Sequence, residues 1–321
     1  MELSGLFSYF VFFLSMASVY AVLVLGLNIQ WGYTGQLNIG VAAFFAVGAY
    51  TTAIVTGPAS DNYLGGFGLP FVVGLLLAMV VAGLLALVIG LITVNLRSDY
   101  LAIATIGIAE IVRLVLKNEA WLTNGVRGIS SIPSPFDELS GITEGLAYLS
   151  VLLVVVGGVY WTCERLFRSP WARVLRAIRA NEDAVRAAGK NVLLFRVEAF
   201  VLGSMFMGLG GALYAHFVGF ISPSAFDPMF ATFVVWVMLI AGGSGNNRGA
   251  LLGAVVIWAV WTMSSSMIGV LSDIGLLPDQ LATQASALRI FLIGLLLEII
   301  LLTRREGLLP ERPPKAIDRA D

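Results

Sequence analysis

Apolar residues in this chain come in long, nearly unbroken runs rather than at the spacing of a half-buried helix or strand, which marks segments with no watery face. A helix crossing the hydrocarbon core of a membrane needs about 20 such residues, because every backbone polar group must be satisfied within the segment. Stretches at 7–29, 35–56, 69–94, 100–118, 146–163, 199–221, 229–245, 249–269 and 286–302 meet or approach that length. The predicted fold is all-α, a polytopic transmembrane helical bundle of about nine spans (eight to ten). Residues 1–302 form the membrane domain, with a cytoplasmic loop at 164–198, and 303–321 form a flexible cytoplasmic tail. The number turns on 35–56, whose Gly and Ala content also suits a broken or re-entrant element. The first run lacks a small-residue cleavage site and reads as a retained helix.

Composition narrows the classes. Of 321 residues, 58% are hydrophobic and 12% charged, against about a quarter charged in soluble domains. Nineteen Lys+Arg against twenty Asp+Glu give a net charge of −1, so no basic surplus points to nucleic acid. A lone cysteine, Cys163, excludes an internal disulfide, and a lone histidine, His216, excludes a multi-histidine metal site. Neither has an evident catalytic partner, so an intramembrane enzyme has no credible catalytic set.

Positive charges set orientation, since cytoplasmic loops near spans carry Lys and Arg. Eight fall between 164 and 198, and Arg304, Arg305, Arg312, Lys315 and Arg319 crowd the tail. Both regions read as cytoplasmic, with Arg97 and Arg248 on the same side and 119–145 outside. Close packing through small residues is expected along Ser204, Gly208 and Ala212, around a short turn at Gly245, Gly249 and Gly253, and at Gly40 and Gly48.

The stretch 169–189 reads as two short helices. Ser169 caps the first, with Pro170 at its opening position. Asn181 caps the second, Glu182 and Asp183 complement its positive end, Arg186 its negative end, and Gly189 supplies the left-handed stop. A capped helix of about two turns does not persist alone in water, so it must dock, either on lipid headgroups or on a cytoplasmic motor subunit whose movement it transmits. The chain holds no G-x-x-x-x-G-K-[ST] phosphate loop, so any nucleotide hydrolysis belongs to another chain. Within the spans, Glu110 and Arg113 are three apart and face one side of a helix, where they can pair. Asn38, Thr105 and Asn124 join them as candidate pathway or gate residues, because uncharged polar groups can pass a zwitterion without trapping it.

Several stretches resemble one family in its own order: Gly32-Tyr33-Thr34-Gly35-Gln36-Leu37-Asn38-Ile39-Gly40; Leu96-Arg97-Ser98-Asp99-Tyr100-Leu101 running to Glu110 and Arg113; Thr123-Asn124-Gly125-Val126-Arg127-Gly128-Ile129; Ser169-Pro170-Trp171 through Gly189-Lys190-Asn191; Gly242-Gly243-Ser244-Gly245; and Arg305-Glu306-Gly307-Leu308. Together they resemble the M-type permease subunits of branched-chain amino acid ABC importers. The resemblance implies a transport subunit, not an enzyme, that binds no cofactor itself and pairs with a homologous H-type permease. It implies two ATP-binding subunits, which hold ATP and magnesium, and a periplasmic or lipid-anchored substrate-binding protein, all at a bacterial or archaeal cytoplasmic membrane. Asn181, Glu182, Asp183, Arg186 and Gly189 match the family's coupling region to the ATPase. Asn124 and Arg127 stand where smaller residues are commoner in the family's glycine-rich loop, and relatives carry urea, short amides or other small carboxylates. An ATP-independent secondary transporter is the alternative class; it calls for mid-membrane titratable groups and an inverted repeat.

Overall fold

The computed structural model describes residues 2–96, 98–273, 285–304 and 306–311, and these are mostly helical. Helix α1 (Glu2–Leu27) continues into a π-helical turn, Asn28–Tyr33. An irregular stretch, 34–40, leads to α2 (Val41–Thr56) and then α3 (Phe71–Thr93). Next come α4 (Ser98–Asn118), the single turn α5 (Ala120–Thr123) and the long α6 (Ile142–Phe167). Two short helices, α7 (Pro170–Ala180) and α8 (Glu182–Ala187), precede α9 (Val192–Val218). The bundle is completed by α10 (Pro228–Gly242), α11 (Asn247–Asp273) and α12 (Ala285–Thr303). A two-residue ladder joins β1 (Ile129–Ser130) to β2 (Phe220–Ile221), antiparallel, with Ile129 opposite Ile221.

Among the described residues, five stretches are long and apolar enough to cross a membrane: Gly5–Tyr33, Phe71–Thr93, Ile142–Phe167, Val192–Val218 and Pro223–Gly242. The expected number of about nine is therefore not reached by length and hydropathy. For α2 and α4 the reasons are physical. Helix α2 has 16 residues, about 24 Å at 1.5 Å per residue, short of a hydrocarbon core of about 30 Å. The region 35–56 thus takes the broken form: an irregular lead-in followed by a truncated helix. Helix α4 is long enough but carries Asp99, Glu110, Arg113 and Lys117.

Packing centres on α9, which runs through the middle of the bundle against α1, α2 and α3 and buries most of its length. Small residues bring the backbones together. A Cβ on Gly48 of α2 would lie 2.5 Å from the Gly208 Cα, and one on Gly203 would lie 2.5 Å from the Gly26 carbonyl oxygen of α1. Gly208 also faces Ala78 and Ala82 of α3. The expected face of Ser204, Gly208 and Ala212 is thus the central contact, all three being buried. In the α10–α11 hairpin the close pairs are Gly242 with Gly249 and Gly253. Gly245 sits in the short turn expected there, at φ +81° and close against Glu311.

The loops gather at two ends. At one end, α7, α8, the close of α1, the α10–α11 turn and residues 306–311 meet. At the other, Leu64 bonds Trp121 through the backbone, and His216 is held by Thr52 Oγ1 at 2.9 Å and the Pro133 carbonyl at 2.8 Å. The segment read as a flexible tail divides. Leu308 and Leu309 donate backbone bonds of 2.9 Å to Ala241 and Gly242, and Asn246 Nδ2 donates to the Pro310 carbonyl at 2.9 Å, so 306–311 is strapped to the hairpin. Arg97, Arg305 and 312–321 lie outside the described residues.

Candidate functional site

The break after α1 is the first part of the site. Backbone that leaves the helix inside an apolar bundle must find partners in the protein, and polar side chains supply them. Gln30 Nε2 donates to the Phe200 carbonyl at 2.7 Å and to Ser204 Oγ at 3.0 Å, both on α9. Its Oε1 accepts from Asn38 Nδ2 at 2.8 Å, while Asn38 Oδ1 accepts from the Gly40 amide at 2.7 Å. The Ile39 amide donates to Thr105 Oγ1 at 3.0 Å, the Ala42 amide to Thr232 Oγ1 at 3.1 Å, and Trp236 Nε1 to the Asn38 carbonyl at 2.9 Å. The structure thus brings Thr105 of α4 against the short segment that holds Asn38. Both are buried, and both fix the course of the break.

Beside the break lies a cleft of about 1140 Å³, somewhat above the 300–1,000 Å³ usual for small-molecule sites. Trp31, Leu37 and Ile39 of the break form one wall, Trp236 and Ile240 of α10 another, and Tyr20, Ile106, Trp258 and Trp261 close it. Its surface is almost wholly apolar; Asp227, Ser224 and Thr232 supply polar groups. Trp31 and Trp236 meet edge to face at 5.3 Å, and Tyr20 lies 5.0 Å from Trp258. Such a space receives an apolar side chain by burial and fixes a polar head only where those few polar groups stand.

Glu110 and Arg113 pair within α4 as their spacing predicts, with Arg113 Nε 2.9 Å from Glu110 Oε2. Glu110 lies one turn beyond Ile106 of the cleft wall, and Asp227 acts electrostatically on Arg113. Asn124 is elsewhere. It sits at φ 62° in the loop after α5, with Nδ2 donating to the Gly128 carbonyl at 2.7 Å. Asparagine tolerates that left-handed conformation better than most residues, which accounts for its standing among the glycines of that loop.

The charged end is the second part. Ser169 Oγ accepts from the Ala172 amide at 3.3 Å, Asn181 Oδ1 from the Ala184 amide at 3.0 Å, and Gly189 lies at φ +77°. Helix α7 docks through Ala172, Leu175 and Ile178. No residue of α8 is fully buried, and only Val185 packs, half-buried, against the core; Arg186 pairs with Glu182 at 2.6 Å and with Asp183 at 3.3 Å, and Glu182 also pairs with Arg196 at 3.2 Å. Beneath them is a buried polar knot. Asn247 Oδ1 accepts from Asn28 Nδ2 at 3.0 Å and Tyr33 Oη at 2.7 Å, and Asn28 Oδ1 accepts from the Gly245 amide at 2.8 Å.

Sequence reasoning missed Gln30, the tryptophan wall and the Asn28–Asn247 knot. A signal existed at the first: Gln30 and Trp31 interrupt the apolar run of α1 just before Gly32 and Gly35.

An apolar helical bundle with a broken element, an aromatic cleft and a charged, partly unburied end has the build of a membrane transport subunit. Residues 9–301 match the family described as branched-chain amino acid transport system / permease component, and the chain belongs to that family. It is 30% identical over 325 residues to the high-affinity branched-chain amino acid transport system permease protein LivM of Salmonella typhimurium, covering 94% of this chain and 70% of that one. It is 30% identical over 329 residues to the probable branched-chain amino acid transport permease protein LivM of Methanocaldococcus jannaschii, covering 92% of this chain and 91% of the other. Similarity extends at 24% over 266 residues to the high-affinity branched-chain amino acid transport system permease protein LivH of Salmonella typhimurium, covering 79% and 84%. No solved structure matches the chain. The resemblance to M-type permeases read from the motifs holds over nearly the whole length.

Proposed function

We propose that this chain is the M-type membrane subunit of an ATP-driven importer of branched-chain amino acids in a prokaryotic cytoplasmic membrane, working by alternating access beside an H-type permease. Two ATP-binding subunits supply hydrolysis with ATP and magnesium, and a periplasmic or lipid-anchored binding protein delivers the cargo. The relatives' names and the apolar walls of the cleft support the cargo. The observation that carries the coupling is α8, a six-residue helix capped at its start, anchored only by the half-buried Val185 and with its charged residues turned outward. A helix so short is not stable by itself, and its paired charges offer a directional surface to a protein groove. Asn181, Glu182, Asp183, Arg186 and Gly189 are the residues of that surface.

The test is reconstitution of the permease pair with its ATP-binding subunits in proteoliposomes. Arg186→Glu, or deletion of 181–188, leaves membrane insertion intact while ATP hydrolysis no longer drives leucine uptake. Normal uptake by either variant overturns the coupling assignment, and uptake of urea in preference to leucine overturns the cargo.

A further inference from the structure

We propose that Arg179, at the end of α7, is the positioning residue that carries movement of the coupling helices to the wall of the cleft. The inference rests on the coupling role given above to α8 and names the route by which it acts.

The π-helical turn and the break leave a run of helix-end carbonyls to be filled. The Gln36 amide reaches the Gln30 carbonyl at 2.9 Å, and the Gly35 amide reaches the Trp31 carbonyl at 2.9 Å. The Gly32 carbonyl instead accepts from Arg179 Nη1, a side chain 147 residues away. The other arm of the same guanidinium, Nη2, lies 2.5 Å from Glu311 Oε2. The stem of Arg179 fits against Gly35, which is at φ +71° and where an added Cβ would stand 3.0 Å from Arg179 Cγ. Glu311 in turn lies over Gly245 of the α10–α11 turn. One planar, always-charged fork therefore joins α7, the broken end of α1 and the strapped segment 306–311, a task for which the single ammonium of lysine has the wrong shape.

What lies beyond Gly32 gives the contact its meaning. Trp31, one peptide away, is part of the cleft wall and packs on Trp236. A π-helical turn is a common place for a helix to change register at a functional site. Pulling Arg179 with α7 thus loads the hinge residue whose neighbour faces the cargo space. A pure staple would hold the same atoms together without affecting what ATP hydrolysis accomplishes, and that difference is measurable.

In the complete importer, reconstituted in proteoliposomes with its binding protein and radiolabelled leucine, Arg179→Ala should retain the ATP-binding subunits on purification and keep its basal ATP hydrolysis. Leucine taken up per ATP hydrolysed should fall about tenfold, the size of a typical coupling between sites. Arg179→Lys and Glu311→Gln should each fall between Arg179→Ala and the wild type. Wild-type uptake per ATP in Arg179→Ala overturns the proposal. So does a loss of uptake that only tracks loss of folded protein or of bound ATP-binding subunits, with no recovery by lysine. If the unaltered complex carries no ATP-binding subunits, the importer reading fails first and this inference falls with it, which separates the two failures.

Discussion

The contact of α9 with α2 and the surface of α8 are built on opposite terms. Between α9 and α2 the backbones nearly touch: a Cβ at Gly211 would lie 2.8 Å from the Ala49 amide nitrogen and run into the Phe45 carbonyl. On α8 the Arg186 side chain is 62% exposed and that of Asp183 is 92% exposed. Lipid provides no hydrophobic drive to press two apolar helices together, so the first contact relies on fit at the level of main-chain atoms. The second relies on charge and is left open. One region is closed by its own sequence; the other leaves its charges facing outward.

That contrast can be broken by measurement. The largest effect should come from Gly211→Leu, which must drive α2 and α9 apart at a cost of about 3 kcal/mol. The variant should insert yet give little folded protein in a detergent-unfolding titration, and unchanged stability would show that the close approach is slack. A smaller loss is expected of Gln30→Leu, which strips the partner from Asn38 Nδ2 and the side-chain donor from the Phe200 carbonyl and Ser204 Oγ in a buried site. By the cost of unmet buried polar groups it should lose about 2 kcal/mol in the same titration, with uptake falling because the break loses its course. The smallest should be Arg186→Ala. Exposed ion pairs contribute about 0.5 kcal/mol or less, so stability should be nearly unmoved; a large drop would mean that α8 belongs to the finished part of the molecule after all.

How much of this could be read from the residues depended on range. The two short helices were legible because their signals are local: Ser169 and Asn181 cap within three residues, and Gly189 turns where a side chain would strain. The face of Ser204, Gly208 and Ala212 was legible because a four-residue interval fixes a helix face without knowing its neighbour. Gly245 continues a four-residue interval into the short turn between α10 and α11, where it packs against Glu311 rather than on a helix face. Asn38 and Thr105 drew attention as polar residues in apolar runs, but spacing could not show that each fixes a main-chain atom of the break. The cleft was not legible, because Trp31, Trp236 and Trp258 come from the π-helical turn, α10 and α11 and meet only when the bundle closes. For Asn124 the sequence shows a polar residue among glycines but not the left-handed backbone angle it adopts.

The strap formed by residues 306–311 bears on the order in which the protein is made. The α10–α11 hairpin leaves the ribosome well before the segment whose Leu308 and Leu309 amides fill the Ala241 and Gly242 carbonyls. Until that segment emerges, Arg179 has no Glu311 to hold. The charged end therefore reaches its full set of contacts only once residues 306–311 have been made.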